Sequence, residues 1–157
     1  MERMNINSAP LPADFLHRVR TFGVDDQGQP VKRLIAEGGE PCRDVLRRAN
    51  PGEELILASF SPFAKSGPYK EFGPVFVLAN ESAESIDRTS LPIPIGYLRE
   101  RFVLRAYSGE ESIVGAEMLS PEDVEPALEK FLASPGVAFV HARFPTYGCF
   151  ACRIDRA

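Results

Sequence analysis

His141 and Arg143 stand two residues apart in Val137 to Phe144, a run whose alternation reads as a β-strand. Alternate side chains of a strand share a face. Phe139, His141 and Arg143 therefore point one way, and Ala138, Val140, Ala142 and Phe144 the other. Cys149 to Ile154 follows Pro145-Thr146-Tyr147-Gly148 and reads as the second arm of a hairpin. Setting Phe150, Cys152 and Ile154 on the apolar face requires Arg143 opposite Cys149 across a five-residue loop; a four-residue loop sends Cys149 into the core. In the first register His141, Arg143 and Cys149 share one surface. A thiol beside imidazole and guanidinium has its thiolate stabilised, the condition for nucleophilic or redox chemistry. One reading is thus an enzyme with Cys149 as nucleophile, His141 as general base and Arg143 stabilising developing negative charge. The plainer alternative is that His141 and Arg143 are structural polar groups.

A second set of residues widens that face. Arg101 to Tyr107 and Ser112 to Leu119 flank Ser108-Gly109-Glu110-Glu111 and read as another hairpin. Phe102, Leu104 and Ala106 are expected to share the core face with Val114, Ala116 and Met118, which sets Ala106 opposite Val114. Arg101, Arg105 and Tyr107 then join His141 and Arg143 on a polar sheet face suited to a small anionic ligand, since the arginine fork holds carboxylate or phosphate bidentately. The leading expectation is a small binding protein of this kind. Its alternative is a set of surface salt bridges, Arg105 with Glu117 and Arg143 with another acid. The long loop from Ser61 to Pro74 carries Phe63, Tyr69 and Phe72 among several prolines and glycines. It reads as a cover over that face, as a packed Ω-loop, or as an apolar patch for a protein partner.

Other chemistries find less support. Cys149-Phe150-Ala151-Cys152 has the spelling of a redox dithiol, but on a strand its sulfurs point to opposite faces. Cys42 opens an expected helix, although it sits on the apolar stripe and is expected to be buried. His17 and His141 are the only histidines. No Cys/His spacing suits zinc, the acids form no calcium loop, and no phosphate loop, serine elbow or dinucleotide fingerprint is present. No metal and no cofactor is expected.

Around these residues the chain reads as one α+β domain over 1–157, a mostly antiparallel sheet, open or barrel-like, with two helices. Residues 1–14 read as an extended arm, and Phe15 to Val24 as a strand turning at Asp25-Asp26-Gln27-Gly28 to pair with Lys32 to Ala36. The first helix is expected over Pro41 to Ala49, with Cys42, Val45, Leu46 and Ala49 as its stripe and Asn50-Pro51-Gly52 as its stop. Glu54 to Phe60 and Val75 to Ala79 read as buried strands. The second helix is capped by Ser120, carries Pro121 in its first turn and presents Val124, Leu128, Phe131 and Leu132.

Composition limits the partners. A formal charge of -4 with 18 basic residues disfavours nucleic acid, which calls for concentrated Lys and Arg. No apolar run is long enough for a transmembrane helix, and Met1 to Leu16 lacks the apolar core of a signal peptide. Three cysteines fit a reducing cytoplasm better than a disulfide framework.

Several short pieces, in one order, resemble the uncharacterised bacterial domain-of-unknown-function family 1203. They are Pro41-Cys42-Arg43, Pro62-Phe63 with Tyr69, Gly73-Pro74-Val75-Phe76-Val77, Val140-His141 with Arg143, and Gly148-Cys149-Phe150. The resemblance implies a bacterial single-domain protein and supplies no activity, cofactor or catalytic residue. Members of that family often carry His where this chain has Leu78, so a two-histidine metal site is broken here.

Overall fold

Apolar alternation builds ten strands, and they settle into two five-stranded sheets. The computed structural model describes residues 5–157. In chain order the elements are β1 (Ile6–Ala9), α1 (Ala13–His17), β2 (Lys32–Ile35), β3 (Pro41–Cys42), β4 (Arg47–Arg48), β5 (Glu54–Phe60), β6 (Gly73–Leu78), β7 (Phe102–Tyr107), β8 (Ile113–Leu119), α2 (Val124–Ala133), β9 (Phe139–Arg143) and β10 (Phe150–Arg156). The first sheet runs β1-β10-β9-β7-β8 and is antiparallel throughout. The second runs β2-β5-β6-β3-β4, with β3 and β6 its one parallel pair. The fold is α+β. Neither sheet closes into a barrel.

One face of the first sheet packs under α2 and the segment around Leu91, Tyr97 and Leu98, where Phe102, Leu104, Val140, Ala142, Cys152 and Ile154 are buried. The β7–β8 hairpin expected from sequence forms, but one residue out of the expected register: Ala106 pairs with Gly115, Leu104 with Glu117 and Phe102 with Leu119. The reason lies at Gly115. A Cβ there would stand 3.0 Å from Cε1 of Phe131 on α2, so the helix packs where β8 has no side chain. Val114 and Met118 turn to the other face and stay exposed. A Gly115→Val substitution is therefore expected to destabilise the fold by about 1–3 kcal/mol in urea unfolding, the usual range for overpacking. An unchanged midpoint would count against this packing.

Two elements differ in kind from the sequence reading. Pro41 to Ala49 is not a helix but β3, a turn and β4, with Pro41 opposite Arg48 and Leu46 in left-handed backbone at φ 51°. Its apolar residues are buried as expected, but against two different cores: Leu46 packs with the first sheet, while Cys42, Val45 and Ala49 pack with Leu55 and Leu78 of the second. A single helical stripe faces only one way. Phe15 to Val24 is likewise not a strand. Residues 13–17 are α1, Arg18–Phe22 continue it as one π-helical turn, and Gly23 ends it in left-handed backbone at φ 65°. Phe15 and Val19, four apart, both enter the core. β2 consequently pairs with β5 instead. The arm expected over 1–14 includes β1 and the start of α1, and residues 1–4 of it lie outside the described residues. Helix α2 begins at Val124, beyond Pro121, with the Ser120 hydroxyl 3.0 Å from Asp123 Oδ2.

Candidate functional site

The outward face of β9 is where the two sheets and the 61–72 loop converge. β9 is buried along its whole length. Its neighbours set Arg105 and Arg153 on either side of His141, and Val103 and Phe150 on either side of Arg143. His141 is fully buried. Four rings enclose its imidazole: Tyr107 at 4.7 Å, Phe150 at 4.9 Å, Phe139 at 5.1 Å and, from the loop, Phe63 at 5.3 Å. Neither Nδ1 nor Nε2 has a hydrogen-bond partner. Burial, and then the charges of Arg143, Arg153 and Arg105, hold its pKa well below the usual histidine value. At neutral pH the ring is uncharged, with one N–H donor and one lone pair unused.

Arg143 is also buried. Its Nη1 donates to the Gly148 carbonyl at 3.2 Å, while Nε and Nη2 make no hydrogen bond. The counter-charge comes from the loop: the Glu71 carboxylate pairs with Arg143 Nη2, and its Oε1 lies 3.9 Å from Arg105 Nη1. The pairing of Arg105 with Glu117 expected from sequence is absent because the shifted register sets Glu117 opposite Leu104. Arg153 lies 4.0 Å from the Phe139 centroid and pairs with Asp155 at 3.0 Å. Tyr107 is buried and stacked on Phe139. Arg101 precedes β7, is exposed and makes no ion pair among the described residues.

Two cavities flank this cluster. One of about 430 Å³ is bordered by His141, Arg153, Glu111 and Phe63. The other, about 190 Å³, is bordered by Arg143, Glu71, Phe72 and Cys149. Phe60, Pro62 and Phe150 line both and so partition them.

The β9–β10 hairpin forms with Arg143 opposite Phe150, not Cys149. The turn is the shorter one: Phe144 N–H donates to the Cys149 carbonyl at 3.0 Å and Gly148 N–H to the Phe144 carbonyl at 2.9 Å. A bulge between Phe150 and Cys152 then restores Cys152 and Ile154 to the core. The buried Tyr97 hydroxyl pins it, donating to the Ala151 carbonyl at 2.6 Å. This extra residue lets Phe150 face His141. A Tyr97→Phe variant leaves that carbonyl buried without its donor and is expected to lose about 1–3 kcal/mol in chemical denaturation. No loss would mean that the bulge is held by packing alone.

Cys149 is half-buried, borders the Arg143 cavity and makes no hydrogen bond with His141. Cys42 and Cys152 are buried, and burial pushes both thiols up to about 12. The arrangement offers arginine donors and a neutral imidazole to a polar ligand, with no thiol–imidazole pair. Glu71 and Arg153 belong to the cluster but escaped the sequence reading, Phe63 comes from the loop read as a cover over this face, and Phe150, expected on the core face, meets His141 instead. For Arg153 strand alternation alone could have found the face, and the bulge sets it opposite His141.

No curated protein and no solved structure matches the chain. A family model described as protein of unknown function (DUF1203) matches residues 39–156, a span that runs from β3 to β10 and carries His141, Arg143, Arg105, Glu71 and Cys149. The chain belongs to the DUF1203 family.

Proposed function

We propose that this chain is a single-domain bacterial cytoplasmic protein that binds a small anionic molecule on the face formed by Arg105, His141 and Arg143, under the 61–72 loop. The observation that carries this reading is a buried cluster with unused hydrogen-bonding capacity: both His141 nitrogens and Nε of Arg143 find no partner among the described residues. Buried polar groups without partners are costly, at about 1–3 kcal/mol each, and native folds rarely keep several together without a use. The single acid offered to Arg143 and Arg105 comes from a loop, so the anion position is already marked out by a carboxylate that a ligand could displace. Neutral His141 supplies one donor and one acceptor beside it, fit for a hydroxyl or a second oxygen of the ligand. All three cysteines are free, as a reducing compartment favours, and no helix among the described residues is long and apolar enough to cross a membrane.

A melting-temperature screen against inorganic phosphate, small carboxylates and sugar phosphates tests the reading. Binding to the native state raises the midpoint by mass action. At least one of these anions is expected to do so at millimolar concentration, and its effect should vanish in Arg143→Gln. A flat response to every anion, at equal ionic strength, overturns the proposal.

A further inference from the structure

Beside the β9–β10 turn lies a cavity of about 670 Å³, larger than either of those on the sheet face. Pro41, Leu57, Pro74, Phe76, Phe144 and Tyr147 give it an apolar lining. Arg43 and Arg48 supply its charge, and no carboxylate among the described residues borders it. Their guanidinium carbons lie 5.2 Å and 5.3 Å from the centroid of the Phe144 ring, so one aromatic ring serves two cations.

Neither arginine has an acidic partner among the described residues; both are fastened by main-chain carbonyls. Arg43 is buried, with Nε donating to Phe150 at 2.9 Å and Nη1 to Pro41 at 2.8 Å. Arg48 donates from Nε to Gly96 at 3.1 Å, from Nη1 to Gly39 at 2.9 Å and from Nη2 to Tyr97 at 3.1 Å. A guanidinium carries five N–H donors, so each has donors left over. Carbonyls orient these groups without neutralising them. Two positive charges are thereby held near each other at the wall of an apolar cavity, an arrangement that an anion would relieve. The strain is visible on Arg48, whose pKa is lowered by burial first and then by the charge of Arg99, with Arg43 adding to it. Neighbouring Arg47 differs in being neutralised by Glu53 and Glu84.

We propose that this cavity is a second binding site, distinct from the His141 face, for a carboxylic acid with an apolar body. Its carboxylate would meet Arg43 and Arg48, and its hydrocarbon portion would fill the space between Phe76, Leu57 and Tyr147. The volume lies within the range of about 300–1,000 Å³ usual for small-molecule sites that combine an apolar lining with a few placed polar groups. Tyr147, 87% exposed at the mouth, is free to close over such a molecule.

Octanoate and octanol are the matched probes, because they share a chain and differ in the charged head. Calorimetric titration of the intact protein is expected to show saturable octanoate binding and octanol binding weaker by about tenfold or more, a difference of one charge-assisted contact. Thr146→Glu places a carboxylate at the exposed rim of the cavity without disturbing the core. It should weaken octanoate by about tenfold and leave octanol unchanged. Cys149, the one cysteine not buried, also borders this cavity and reports its occupancy: octanoate should slow alkylation of Cys149 by iodoacetamide. Equal affinity for the alcohol, no heat with octanoate, or octanoate binding indifferent to both Thr146→Glu and Cys149 labelling each overturns the proposal.

Discussion

Replacing Glu71 with Gln is expected to raise the affinity of the sheet face for inorganic phosphate by about tenfold or more, while Arg143→Gln removes measurable binding. The first effect follows from competition. Among the described residues Glu71 is the one carboxylate paired with both Arg143 and Arg105, and a ligand anion must take its place. Gln keeps the length and shape of the side chain but withdraws the charge, so the incoming anion meets two unneutralised arginines. The gain is bounded because the Glu71 side chain is 41% exposed and solvent screens part of its field. The same substitution strands Arg143 with a buried positive charge, so the ligand-free melting temperature should fall even as affinity rises. That opposition separates displacement from mere stabilisation. A Glu71→Gln protein that binds phosphate no better than the parent would show that the loop carboxylate is not in the ligand's position.

The arrangement around Glu71 shows which parts of such a site a sequence can carry. His141 and Arg143 were readable because strand alternation is local and β9 keeps it along its length. Arg105 and Tyr107 followed from the same rule applied to β7. Glu71 was not readable. It belongs to a loop without period, and its relation to Arg143 exists only because that loop, joining β5 to β6 of the second sheet, folds over β9 of the first. Phe150 and Cys149 were misplaced for a different reason: a turn one residue shorter was offset by a bulge one residue long, and the two changes cancel for Cys152 and Ile154 but not for the residues before them. The β7–β8 register failed because a hydrophobic pattern cannot announce that a glycine marks the helix contact. The Pro41 to Ala49 segment failed because burial from two sides imitates a helical stripe. Local periodicity thus set the strands, and tertiary packing set how they meet.

The second large effect concerns protons. In the folded chain His141 resists protonation because it is fully buried and faces Arg143, Arg153 and Arg105. In the unfolded chain the same imidazole titrates near its ordinary value of about 6.5. Below that pH the unfolded state binds a proton that the folded state refuses, so stability is complete above about 6.5 and falls as the solution is acidified. The slope approaches about 1.4 kcal/mol per pH unit until the depressed folded pKa is reached, which amounts to at most about 2 kcal/mol between pH 7 and pH 5. His141→Phe removes this titration while filling a space already bounded by four aromatic rings. Denaturant unfolding at the two pH values, taken as the difference between variant and parent so that the carboxylates cancel, should show the variant gaining up to about 2 kcal/mol on acidification. Saturating phosphate should shrink that gain in a protein that binds it, because an anion near the imidazole favours the charged ring and raises its folded pKa. Parallel pH dependence in the two proteins would mean that His141 takes up a proton in the folded state, and the neutral donor–acceptor role given to it at the anion site would fall with that result.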